Sequence, residues 1–95
     1  MATWQIVVRG QVQGVGYRAA CVAAAREIGV VGWVRNCRDG SVEVLAQGEP
    51  GQLLAMCDWM RHGPPGARVS ECSVDEAMFT KTIFTRFEQR MPDVF

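Results

Sequence analysis

Residues 4–18 read Trp4-Gln5-Ile6-Val7-Val8-Arg9-Gly10-Gln11-Val12-Gln13-Gly14-Val15-Gly16-Tyr17-Arg18, and the change of rhythm inside this stretch decides the plan of the chain. Over residues 4–10, Trp4, Ile6 and Val8 recur at every second position, the period of a strand with one buried face. Gly14 and Gly16 follow, and glycine permits positive φ angles and close approach to the backbone. From residue 17 to residue 28 the period lengthens. Arg18, Cys21, Val22 and Ala25 fall at i, i+3, i+4 and i+7, five alanines favour a helix, and Gly29 is a natural stop. The reading is strand, glycine bend, helix.

Downstream, residues 30–36 and 41–47 are two β-rich runs separated by Cys37-Arg38-Asp39-Gly40, and Asp-Gly between such runs signals a hairpin. Pro50 suits the first turn of a second helix, whose stripe of Leu53, Met56, Cys57 and Met60 ends at Gly63-Pro64-Pro65-Gly66. Residues 68–75 read as a fourth strand in which Cys72 and Val74 are out of phase with Val69, so a bulge is expected. A last strand is expected over about 81–89, with Ile83 and Phe87 on one side. The order βαββαβ plus a fifth strand predicts an α+β, ferredoxin-like sandwich. Two helices would pack on one face of a mainly antiparallel sheet. No repeat or linker divides residues 1–95, which are expected to form a single domain with a core over about 4–91.

Ninety-five residues exclude a (β/α)₈ barrel and a two-half dinucleotide-binding enzyme. The 48% hydrophobic and 21% charged fractions are those of a globular chain rather than a disordered one. Ten basic residues balance ten acidic ones, which argues against nucleic acid as a partner. Nine of those ten cations are Arg, the side chain suited to bidentate oxyanion recognition, and only Lys81 is Lys. Cys21, Cys37, Cys57 and Cys72 form neither a CxxC pair nor a cluster with the single His62, so no metal is expected. Met1-Ala2-Thr3-Trp4 lacks the basic start of a signal peptide, and no run approaches the ~18 apolar residues of a membrane span. A cytoplasmic monomer with reduced thiols and no membrane partner is the expectation.

Two places carry candidate chemistry. In Gln13-Gly14-Val15-Gly16-Tyr17-Arg18, successive N–H groups can converge on one concavity, the helix dipole adds positive potential, and Arg18 places a cation in the same first turn. An anion would reconcile the three; the alternative is a plain strand-to-helix turn with a surface Arg. The stretch also fits GxGxxA, but Gln11-Val12-Gln13 intervene after the strand. Val34, Arg35 and Asn36 stand where a ribose-binding acid belongs, so a dinucleotide site is rejected. Asn36, closing the second strand, offers a donor and an acceptor able to hold one water, or alternatively begins the hairpin turn. His62 is expected to cap a helix end or face solvent. Trp4, Trp33 and Trp59 are expected to pack, and Cys21 and Cys57 to be buried, with Cys37 the exposed thiol. Glu43, Glu49 and Glu71 form no carboxylate pair suited to acid–base work.

Together the two places resemble the acylphosphatase family. Its first motif, V-x-G-x-V-Q-G-V-x-[FY]-R, is matched in full by residues 8–18. Its second, G-[FYW]-[AV]-x-N-x3-G-x-V-x5-G, is matched by Gly32, Trp33, Val34, Asn36, Gly40, Val42 and Gly48. The resemblance runs over about 4–90. It implies the same sandwich fold and, without a metal or other cofactor, hydrolysis of small-molecule acyl phosphates to a carboxylate and phosphate. It also implies roles: Gln13, Gly14, Val15, Gly16, Tyr17 and Arg18 form the phosphate loop, with Arg18 clamping the phosphoryl oxygens and Asn36 orienting the attacking water. A non-catalytic anion-binding module of the same fold is the alternative. The departure is Gln89, where the family usually carries an aliphatic residue; it is expected to touch strand packing and not the site. An RNA-binding module shares the βαββαβ plan, but the aromatic pattern it needs is absent.

Overall fold

The computed structural model describes residues 1–77 and 81–92, and within them the alternation of residues 4–10 becomes a central strand. β1 (Ala2–Gln11) buries Ile6 and Val8 completely, while Arg9, one position on, is exposed. α1 (Tyr17–Ile28), β2 (Val31–Asn36), β3 (Val42–Gly48), α2 (Pro50–His62), β4 (Arg68–Glu76) and β5 (Phe87–Gln89) follow. The sheet order is β4-β1-β3-β2-β5; only the β2–β5 pair is parallel. Ile6, Val8, Val34, Val42 and Val44 from the sheet join Cys21 and Ala25 of α1 and Leu53, Met56 and Met60 of α2 in one core. Both helices therefore cover the same face, and the fold is the ferredoxin-like sandwich that the element order implies.

Local chemistry sets the element ends. Gly29, at φ 98°, stops α1 and donates its N–H to the Ala25 carbonyl at 2.8 Å. α2 starts at Pro50 behind a capping box, in which the Gln52 side chain accepts from the Glu49 N–H at 2.9 Å. His62 ends α2 with its Nδ1 2.8 Å from the Asp58 carbonyl. The bulge falls in β4, where Glu71 faces Arg9 but Val69 faces Gly10, leaving Ser70 as the extra residue. That insertion restores the phase of Val69 and Cys72, and both pack against the core.

The last strand is shorter than the sequence pattern predicts. Only Phe87–Gln89 pairs with β2, and residues 81–86 are not strand. The Gln47 side chain takes the place of a ladder there: its Nε2 donates to the Thr82 carbonyl and its Oε1 accepts from the Phe84 N–H at 2.9 Å. The alternation is broken before Phe87, so Ile83 is 80% exposed whereas Phe87 is 1% exposed.

Tyr17 joins the start of α1 to the end of α2. Its hydroxyl donates to the Met60 carbonyl at 2.6 Å, its ring lies tilted against Trp59 at 5.5 Å, and burial pushes its phenol well above the usual range. Tyr17→Phe keeps the ring and removes only that bond. Urea unfolding is expected to show a loss of about 1–2 kcal/mol, and an unchanged midpoint would mean that the Met60 carbonyl finds water instead.

Candidate active site

β1 and the buried Val12 bring the chain to the rim of the sheet, where it bends back into α1. Gly14 at φ 78° and Gly16 at φ 76° hold left-handed conformations that cost a side-chain-bearing residue strain. Gly16 is the N-cap of α1 and has no side chain with which to cap, and no acidic residue lies in the first turn. The contrast with α2, whose N-terminus is closed by Glu49 and Gln52, is direct. The start of α1 thus keeps its partial positive charge, worth roughly half a unit, for a guest.

The bend is pinned from the side. Gln13 Nε2 donates to the carbonyls of Cys37 and Ser41, each at 2.8 Å, which ties the bend to the β2–β3 turn. That turn is held by Asp39, whose Oδ1 accepts from the Ser41 hydroxyl at 2.6 Å and N–H at 3.0 Å. Its Oδ2 accepts from Arg9 at 2.7 Å. Hydrogen bonds from Ser41, then from Arg9, keep the Asp39 carboxyl well below the usual carboxylate range.

Asn36 is the last residue of β2 and lies two positions beyond Val34, which is fully buried. Strand alternation therefore puts the Asn36 amide on the helix-covered face. Arg18 comes from the first turn of α1 above it. One guanidinium nitrogen, Nη1, lies 3.4 Å from the Arg90 carbonyl just past β5. Gly14, Gly16, Tyr17, Arg18 and Asn36 line one hollow of about 150 Å³, completed by Val12, Ala19 and Gln89.

Five of the seven sequence-predicted site residues are therefore neighbours: Gly14, Gly16, Tyr17, Arg18 and Asn36. Gln13 and Val15 do not line the hollow; the Gln13 amide is turned to the hairpin and Val15 packs against the core. Tyr17 contributes its backbone end, since its hydroxyl is committed to Met60. Gln89 corrects the expectation of a packing-only role: it is exposed, and it lines the hollow. The signal was in the strand phase, because Gln89 shares a face with Phe87.

The chemistry on offer is anion binding. No carboxylate lines the hollow, and among the described residues no group of three or more His, Cys, Asp or Glu could hold a metal ion. Glu43, with its carboxylate on Arg35 at 2.8 Å and on Gln5, belongs to a separate cluster around Arg35 and Cys37. A guanidinium, an uncapped helix start and two neutral amides, Asn36 and Gln89, remain around one small space.

The family model for acylphosphatase matches residues 4–89. The chain belongs to the acylphosphatase family. It is 52% identical over 87 residues to an acylphosphatase of Synechococcus sp., covering 92% of this chain and 73% of that one. An acylphosphatase of Paraburkholderia xenovorans is 51% identical over 87 residues, covering 92% and 89%. The crystal structure of acylphosphatase from Bacillus subtilis superposes with a TM-score of 0.88 at 34% identity, over 95% of this chain and 99% of that one. The Val8–Arg18 and Gly32–Gly48 motifs thus sit in an acylphosphatase fold. Among the described residues no helix is long and apolar enough to cross a membrane.

Proposed function

We propose that the hollow between the 14–18 bend and Asn36 is where this acylphosphatase hydrolyses acyl phosphates to a carboxylate and phosphate. The observation that carries the reading is convergence: Arg18, the uncapped start of α1 and the Asn36 amide all face one space of about 150 Å³. Arg18 grips two phosphoryl oxygens through its planar fork, and the N–H groups of the bend take the third. Asn36 holds a water through its carboxamide oxygen and directs the lone pair at phosphorus. The water oxygen–phosphorus bond forms as the phosphorus–acyl oxygen bond breaks, and the bonding pair leaves with the carboxylate. One proton of the water stays on the phosphate and the other is passed to a phosphoryl oxygen.

So few groups suffice because of the leaving group. A carboxylic acid ionises at roughly pH 4, so the departing oxygen needs no proton donor. The transition state of phosphoryl transfer is loose and asks mainly for positioning and charge stabilisation, which Arg18 and the backbone dipoles supply. Beyond Asn36 a second hollow, lined by Gln13, Asn36, Cys37, Arg38 and Pro92, gives bulk water a route to the amide. The reading takes residues 1–95 as one domain, and the enzyme as a cytoplasmic monomer. In support of the compartment, Cys21, Cys37, Cys57 and Cys72 are free thiols, the state a reducing compartment keeps.

The test is hydrolysis of benzoyl phosphate, followed by its ultraviolet absorbance, with and without a chelator. Turnover that the chelator leaves intact and inorganic phosphate inhibits competitively is the expected result. Phosphate binding without turnover would make the domain an anion-binding module instead.

A further inference from the structure

Ala19 and Gln89 are the residues of the hollow that lie outside the family motifs, and of the two only Gln89 has a polar side chain. Phe87, two residues earlier, is 1% exposed in the core, so alternation turns Gln89 to the same helix-covered face. Its backbone is fixed by the parallel register with β2: Gln89 lies beside Val34, and the Arg90 N–H donates to the Val34 carbonyl at 2.8 Å. Asn36 is two positions beyond Val34 on β2, so the two carboxamides are diagonal neighbours on one face. Arg18 meets the same strand end, through the Arg90 carbonyl at 3.4 Å. Among the described residues the Gln89 side chain has no hydrogen-bond partner. Where the fold alone would accept an aliphatic residue, this chain places an uncommitted amide beside the guanidinium.

We propose that Gln89 is a substrate-contacting residue whose side-chain Nε2 donates a hydrogen bond to a phosphoryl oxygen. The chemistry sets the direction of the bond. A phosphoryl dianion carries only acceptors, and a Gln amide has two N–H donors to give. Arg18 spends one N–H on the Arg90 carbonyl, so a further donor from the adjacent strand fills out the shell around the anion. The bond tightens phosphate and ground-state acyl phosphate alike, so it acts on KM and on product inhibition more than on kcat.

The inference rests on the hollow being the phosphate site, and the experiment separates the two. Inorganic phosphate is titrated into the parent protein and into Gln89→Met, Gln89→Glu and Arg18→Ala, with the backbone amides of residues 14–18 followed by NMR. Met keeps the length of the side chain and removes the donor; because the site is exposed, folding is untouched. Gln89→Met is expected to bind phosphate about fivefold to tenfold more weakly, with kcat on benzoyl phosphate within about twofold. Gln89→Glu is expected to bind worse still at neutral pH. Relative to the parent at the same pH, it should recover as acid protonates the new carboxyl and restores a donor, which a packing role would not reproduce. Parent-like affinity in Gln89→Met while Arg18→Ala binds poorly overturns the role of Gln89 alone. Parent-like affinity in Arg18→Ala overturns the phosphate site, and the role of Gln89 with it.

Discussion

Arg18→Lys is expected to lower kcat/KM on benzoyl phosphate by at least about a hundredfold, although the charge is kept, and Arg18→Ala by about a thousandfold or more. The guanidinium has two tasks in this geometry. Its Nη1 lies 3.4 Å from the Arg90 carbonyl, and the residue lines the hollow, where the proposed reading sets its other N–H groups on phosphoryl oxygens. A lysine ammonium is a single point of charge on a flexible stem and cannot span the carbonyl and two phosphoryl oxygens together. Because the transition state spreads charge over three equatorial oxygens, loss of the fork weighs on kcat as well as on KM. The fold should tolerate the change, since Arg18 is partly exposed on the first turn of α1 and takes no part in the core. Near-normal turnover in Arg18→Lys would defeat the clamp and leave the helix start as the sole anion-binding element.

The parts of this molecule that were legible from sequence are those written locally. The switch from a two-residue to a helical period at residue 17 marks the start of α1 to the residue, while β1 runs slightly past the predicted 4–10 at both ends, and Asp39-Gly40 marks the hairpin. The phase conflict between Val69 and Cys72 announced the bulge at Ser70. The parts that were not legible depend on distant partners. Residues 81–86 carry a strand-like pattern, yet the Gln47 side chain, 35 and 37 positions away from its partners there, supplies the hydrogen bonds that a neighbouring strand would have given. Gln13 is placed in the phosphate loop by motif, and the second task of its side-chain amide, holding the turn that follows Asn36, is visible only once β2 and the bend lie side by side. Gln89 is the instructive case. Its face could be read from Phe87, but what lies on that face follows from β5 pairing with β2 beneath α1, a long-range consequence of sheet order.

Asn36→Ala divides catalysis from binding, and the sheet makes it a clean substitution. Asn36 holds its place at the end of β2 through backbone pairing with Val42, which an alanine preserves. Among the described residues its side chain has no hydrogen-bond partner, so removal orphans nothing and stability should change by less than about 0.5 kcal/mol. The amide stands between the phosphate hollow and the hollow beyond it, lining both. In the proposed mechanism a water held by this amide is directed at phosphorus, whereas a water merely present in the same space is not. Misplacing a reacting atom by an ångström costs about a hundredfold in rate, so kcat is expected to fall by about that factor. Arg18 and the start of α1 are untouched, so the inhibition constant of inorganic phosphate should stay within about twofold of the parent. If phosphate affinity falls together with kcat, Asn36 shapes the anion site and does not steer water. If neither changes, the attacking water is oriented by another group, and the Gln89 amide on the adjacent strand is the next to remove.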